Sequence, residues 1–208
     1  MSGQTATRSA VIALREERRA MREGCAFLDE KCLLLAAAML TELRAHDALA
    51  REMQPLWARA RLTLAAALQR HGVNGLQCQP PLDASGQRLV LRRRSLLGVA
   101  LVDAAIDGAP GAAPPAVNPS PEARECRLAY AALLAPLARL AAIDGNLARL
   151  HAEYRRTVRR VRALEDVVLP EIERDCGEME SVLAELERDE AVWARFGLGR
   201  AALRSSRT

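Results

Sequence analysis

Apolar residues recur along this chain in steps of three and four, in two long blocks separated by a stretch where the pattern is lost. In the first block the recurring positions are Val11, Leu14, Arg18, Met21, Cys25, Leu28, Cys32, Leu35, Met39, Glu42, His46, Leu49, Met53 and Leu56, and only Arg18, Glu42 and His46 are polar. A seven-residue repeat of this kind keeps one narrow stripe turned toward a partner helix, which is the pattern of a coiled-coil seam. It predicts a helix from about Ser9 to about Arg70, bent near Pro55 and closed by Gly72 as a C-terminal cap.

The second block runs through Leu147, Leu150, Tyr154, Val158, Val161, Leu164, Val168, Ile172, Cys176, Met179, Leu183 and Leu186. Its mean step of about 3.5 residues is what a left-handed supercoil requires. Ser120 as cap and Pro121 at the first helical position open this helix, which is expected to reach roughly Arg195. The simplest arrangement pairs the two helices antiparallel within one chain. Pro170 lies inside the second helix, where it deprives the Asp166 carbonyl of its usual donor and is expected to bend the helix.

Between the blocks the character changes. "GLQCQPPLDASGQRLVLRRR" reads as two short extended runs around a turn at "DASG", and "SLLGVALVDAAI" as a third short strand or a tight bend. "GAPGAAPP" is a linker of flexible or polyproline type. The predicted fold class is therefore all-α-dominated: a long antiparallel two-helix coiled coil with a small β-hairpin-containing knob. Residues 1–72 supply the first helix, 73–119 the knob and linker, and 120–208 the second helix and a basic tail, all as one structural unit.

Composition sharpens this picture. Aromatics are only 3% of the 208 residues, so the core must be aliphatic, as in extended helical proteins. The 30 basic residues are nearly balanced by 26 acidic ones, and a net charge of +4 without aromatic stacking residues argues against nucleic-acid binding. Five cysteines, an odd number with no Cys-x-x-Cys pair, read as reduced thiols in a cytosolic protein. No segment reads as a signal peptide, and none approaches the roughly 20 apolar residues of a membrane span.

Catalytic chemistry is not legible. There is no GxxxxGK[ST] loop and no HExxH, and His46, His71 and His151 are scattered over different regions, so no cofactor, metal or catalytic residue is expected. One local charge anomaly stands out. Arg155, Arg156, Arg159, Arg160 and Arg162 crowd eight residues, with Arg155, Arg159 and Arg162 within about 60° of each other on the helical wheel, flanking the seam. Either the band is a solvated face or it meets acidic and carbonyl-rich loops of a surrounding partner.

Three stretches bear a family likeness. "TRSAVIALREERRAMREGCAFLDEKCLLL", through Thr7, Arg8, Leu14, Gly24, Leu28 and Lys31, resembles the opening of the D subunit of the V-type and A-type rotary ATPases. "RRVRALEDVVLPEIE", through Arg159, Arg160, Val161, Ala163, Leu164, Glu165 and Pro170, is similar to that family's closing segment, and "RRRSLLGVALVD" to its middle one at Gly98 and Val99. Asp29, Cys32 and Arg162 depart from the family pattern, and its terminal lysine cluster is missing.

The resemblance implies a non-catalytic rotor shaft, cytoplasmic and peripheral to the membrane, that carries torque between a hexamer of A and B subunits and the membrane ring. Its implied partners are those subunits, an F subunit and a connector subunit. Arg155, Arg159, Arg160, Arg162 and Pro170 become candidate hexamer contacts, and Leu96, Leu97, Gly98 and Val99 a candidate interface to the F subunit or the connector, with Leu96, Leu97 and Val99 expected to be buried only in the assembly. Two other shapes fit a helical hairpin. The stalk protein of flagellar or type III export ATPases is normally without the 73–119 insert, and a prefoldin-like chaperone would carry apolar tips in place of the polar, basic "MSGQTATRS" and "GRAALRSSRT".

Overall fold

The computed structural model describes residues 7–205, with side chains through Phe196, so the outer parts of the polar tips and of the basic tail lie outside the described residues. Helix accounts for 77% of the described residues, in agreement with the predicted class. In order, the elements are α1 (Arg8–Gln77), β1 (Arg88–Leu96), β2 (Val99–Asp107), α2 (Pro121–Ala163), a π-helical turn (Leu164–Val168) and α3 (Leu169–Ser205). They fall into two compact units, one made of residues 1–32 and 156–208, the other of residues 33–155.

In the first unit the start of α1 lies antiparallel to the end of α2 and to α3. Thr7 opens α1, its hydroxyl accepting the Ala10 N–H at 3.2 Å. The seam then buries Val11 and Cys25 from one side and Val161, Ile172 and Cys176 from the other, with Thr157 buried beside them. Three ion pairs flank it: Arg8–Glu187 at 2.6 Å, Arg15–Glu180 at 2.8 Å and Arg22–Glu173 at 2.5 Å. Each step of seven along α1 meets a step of seven back along α3, which fixes both direction and register. All six side chains are largely exposed, so each pair adds little stability and serves mainly to choose the register. Hydrogen bonding from Arg15 holds the Glu180 carboxyl below the usual range, while burial pushes the Cys25 and Cys176 thiols up, away from the reactive thiolate.

The π turn is the structural answer to Pro170. The Leu169 N–H bonds the Leu164 carbonyl, five residues back, and the chain accommodates the proline in this wider turn. A second cause coincides with it. Around the turn the seam runs Leu164, Val168, Ile172, Cys176, three consecutive steps of four, which is one residue more than the heptad allows. The π turn takes up that extra residue and keeps Val161 and Ile172 on the same buried stripe.

In the second unit, α1 from Leu33 onward packs on α2. All seam positions of α1 from Leu35 to Leu56 are buried or partly buried, including the polar Glu42 and His46. Toward the far end the contacts shrink to alanine: Ala60, Ala129 and Leu133 form one cluster with Leu56 against it, so small side chains let the helices approach. Pro55 sits inside α1, but the backbone break is at Gly72 (φ 64°, ψ 175°), where the predicted cap glycine does take the left-handed conformation. The chain then continues to Gln77, past the expected end. Ser120 caps α2 as predicted, accepting the Ala123 N–H at 3.1 Å while its hydroxyl also meets His71 Nε2 at 2.6 Å.

The knob holds the expected β-hairpin, with its turn at the tight bend that "SLLGVALVDAAI" allowed. The hairpin turn is not at "DASG", where Asp83 instead accepts the Ser85 N–H at 2.9 Å in a local turn before β1. It is at Leu97–Gly98, with φ 51° and 84°. Positive φ at both centres is the type I′ turn, whose twist matches that of the strands, and only this turn puts Leu96, Val99 and Leu101 on the face that packs against the helices. The expectation about membrane spans also needs correction. The helical stretch Pro121–Phe196 is long and apolar enough, by length and composition, to cross a membrane. Here its Ala129 and Leu133 pack on α1.

Because two causes support the π turn, removing both should remove it. Deleting Val167 together with Pro170→Ala is expected to give a continuous α-helix that unfolds cooperatively, with a thermal midpoint within ~3 °C of the parent. Loss of cooperative unfolding, followed by circular dichroism, would show that the turn is needed for folding itself.

Candidate functional site

The most constrained part of the second unit is where the β-hairpin meets the helices. An apolar cluster of Leu35, Val99, Leu101 and Leu150, edged by Ala38, Met39, Leu96 and Tyr154, seats the tip half of the hairpin. Beside it lies a polar latch. Asn146, fully buried, donates from Nδ2 to the Val102 carbonyl at 3.0 Å and accepts the Val102 N–H on Oδ1 at 2.8 Å. Its side-chain amide thus imitates a neighbouring strand at the outer edge of β2.

The latch extends in both directions. Asn146 Oδ1 also accepts from Arg149 at 2.8 Å, and Nδ2 approaches Glu42 Oε2 at 3.4 Å. Glu42, only 8% exposed, is held by the Arg94 guanidinium of β1, which reaches Asp103 of β2 at 3.5 Å as well. A buried carboxylate is tolerated only with such a partner, so Glu42 and Arg94 fix the hairpin to α1 while Asn146 fixes it to α2. One helix turn further along the stem, His46 lies between Asp47 at 3.4 Å and Asp144 at 3.5 Å.

The predicted interface residues separate under this geometry. Leu96 and Val99 belong to the chain's own core, so the expectation that they are covered only in an assembly does not hold for them. Leu97, 38% exposed, and Gly98 form the tip and face outward. Arg155, Arg159, Arg160 and Arg162 are all exposed, as is Pro170. Arg155 and Arg159 each interact with other groups of the chain, so the band is not a row of unengaged charges.

Reasoning from periodicity missed the latch. The available signal was Glu42, a carboxylate on a seam position, which needs a buried cation; nothing local pointed to Arg94 or Asn146, which reach it only through the tertiary fold. A second surface feature was also missed: Trp57, in edge-to-face contact with Tyr130 at 6.5 Å, helps line an open apolar groove with Leu82, Leu134 and Leu137.

These observations define a class: a helical stem protein whose middle insertion is a hairpin locked to the stem and open at its tip. The family model for the D subunit of ATP synthase matches residues 10–195, covering both helices and the hairpin, and the chain belongs to that family. It is thus a stalk subunit of a rotary ATPase and part of a membrane-associated complex. No curated protein sequence matches the chain.

Asn146→Leu should leave the Val102 N–H and carbonyl without partners and cost about 2–4 kcal/mol of stability. Urea unfolding measures the loss, and hydrogen exchange at Val102 should accelerate. An unchanged unfolding midpoint would mean that the apolar cluster alone holds the hairpin.

Proposed function

We propose that this chain is the central rotor shaft, the D subunit, of a V/A-type rotary ATPase, carrying torque between ATP turnover in a hexamer of A and B subunits and ion translocation by the membrane ring. The family match across 10–195 carries this reading. Physically, a shaft must not slip along its own seam under load. The Arg8–Glu187, Arg15–Glu180 and Arg22–Glu173 rungs oppose a slip of less than a heptad in the terminal unit, since it would carry each arginine away from its glutamate.

Within this reading the exposed arginines Arg155, Arg159, Arg160 and Arg162, with Pro170 beyond the π turn, are the surfaces presented to the hexamer. Charge contacts of this kind attract at a distance without the close fit that would stop rotation. The hairpin tip faces the F subunit or the connector. Leu97 supports that role: a large apolar residue held at φ 51° costs on the order of 1 kcal/mol, and it is not repaid by burial in this chain.

Tagged full-length chain should co-purify with two large nucleotide-binding subunits in hexameric stoichiometry; recovery of the chain without them would refute the reading. Leu97→Asn, which suits the turn better, should raise hairpin stability by ~1 kcal/mol while weakening retention of the small stalk partners at least fivefold. Equal retention would remove the tip from the interface. Arg159→Glu with Arg162→Glu should preserve assembly but lower ions transported per ATP hydrolysed, measured in reconstituted vesicles.

A further inference from the structure

The hairpin has two outer edges, and among the described residues Asn146 takes the outward groups of Val102 on β2 while nothing takes those of β1. In a two-residue hairpin the residues flanking the turn, Leu96 and Val99, exchange both ladder bonds, so hydrogen-bonded pairs continue at Arg94–Leu101, Arg92–Asp103, Val90–Ala105 and Arg88–Asp107. The alternate residues point their N–H and carbonyl groups outward. Val102 bears this out on β2, because its outward groups are the ones that Asn146 takes. On β1 the outward groups belong to Leu89, Leu91, Arg93 and Ser95. The sheet has no third strand, and among the described residues no group of this chain meets them. Their side chains are exposed, with Leu89 at 57% and Leu91 at 54%.

An uncovered strand edge recruits another strand unless its side chains forbid it. β1 carries Arg88, Arg92, Arg93 and Arg94, and this selects among partners. A second copy pairing edge to edge would bring Arg92–Arg94 against their own equivalents in any central register, and like charges directly opposite are destabilising. An acidic strand meets the opposite situation. Arg94 is engaged by Glu42 and Asp103, and Arg88 and Arg92 sit across from Asp107 and Asp103, but Arg93 faces Val102 and has no carboxylate beside it.

We infer that the outer edge of β1 is a docking site for an extended acidic segment of another protein, which adds as a third strand through the main-chain groups of Leu89, Leu91, Arg93 and Ser95. Leu89, Leu91 and Arg93 share one face of β1, so on that face the segment's apolar residues cover the two leucines and a carboxylate pairs with Arg93. That the segment belongs to a neighbouring subunit of the complex rests on the stalk reading; the strand docking itself does not.

A test needs only the full-length chain and a fluorescein-labelled Glu/Val peptide, Ser-Thr-Glu-Thr-Val-Thr-Val-Thr-Ser, whose Glu and two Val share one face, with a Lys/Val peptide carrying Lys in place of Glu as control. The Glu/Val peptide should bind at least tenfold tighter by anisotropy and slow exchange of the Leu91 and Arg93 amides. Leu91→Pro removes an outward N–H and no ladder bond, so it should weaken binding at least tenfold, whereas Leu91→Ala should change it less than threefold. Unchanged exchange at Val102 shows that the hairpin survives in both variants. Equal binding of the two peptides, indifference to Leu91→Pro in a folded hairpin, or protection elsewhere would overturn the proposal. So would a dimer in sedimentation that Leu91→Pro abolishes, or an oligonucleotide that outcompetes the peptide. Co-purification with the nucleotide-binding subunits is read separately, so failure of the stalk reading and failure of strand docking are distinguishable.

Discussion

Everything in this protein depends on keeping one stripe of side chains turned toward a partner helix through many turns. A straight α-helix drifts out of phase with a seven-residue repeat, so the stripe survives only if the helices supercoil or if local backbone changes restore the phase. The π turn at Leu164–Val168 is such a change. It combines two demands, the missing donor of Pro170 and one surplus residue in the heptad, and meets both with one wider turn. The buried positions on either side, Val161 and Ile172, stay in line because of it.

The same constraint explains where polar residues can stand in the seam. Glu42 is tolerated because the hairpin delivers Arg94 to it, and Asn146 because the outer edge of β2 offers an N–H and a carbonyl at the right separation. These groups would be costly if the hairpin left, so the latch makes the position of the hairpin a condition of burying the stem. Seam, latch and apolar cluster therefore act as one cooperative set in this unit. The tip and the β1 edge, which take no part in it, are left free for other molecules.

Charge is used differently along the α1–α3 seam and on the hairpin. Along α1 and α3 the exposed Arg–Glu rungs are spaced by heptads and specify which turns face each other, a matter of selecting register more than of adding stability. On β1 the arginines lie along a strand edge, where they oppose self-association and favour an oppositely charged neighbour.

By itself the sequence determined both helices, their seam residues, the Ser120 cap and the left-handed Gly72, because these follow from side-chain periodicity and from what a cap or a glycine can do within a few residues. The three successive steps of four near Pro170 were also there in the sequence, though the bend expected there rested on the proline alone. Tertiary structure alone decided the hairpin register, since "DASG" and "LLG" are both plausible turns and only burial of Val99 and Leu101 on the helices chooses between them. It also decided that Val99 is core while Leu97 is surface, and that Glu42 has a partner at all. Those outcomes join residues 52 and 104 positions apart, and no local rule of propensity or spacing reaches across such distances.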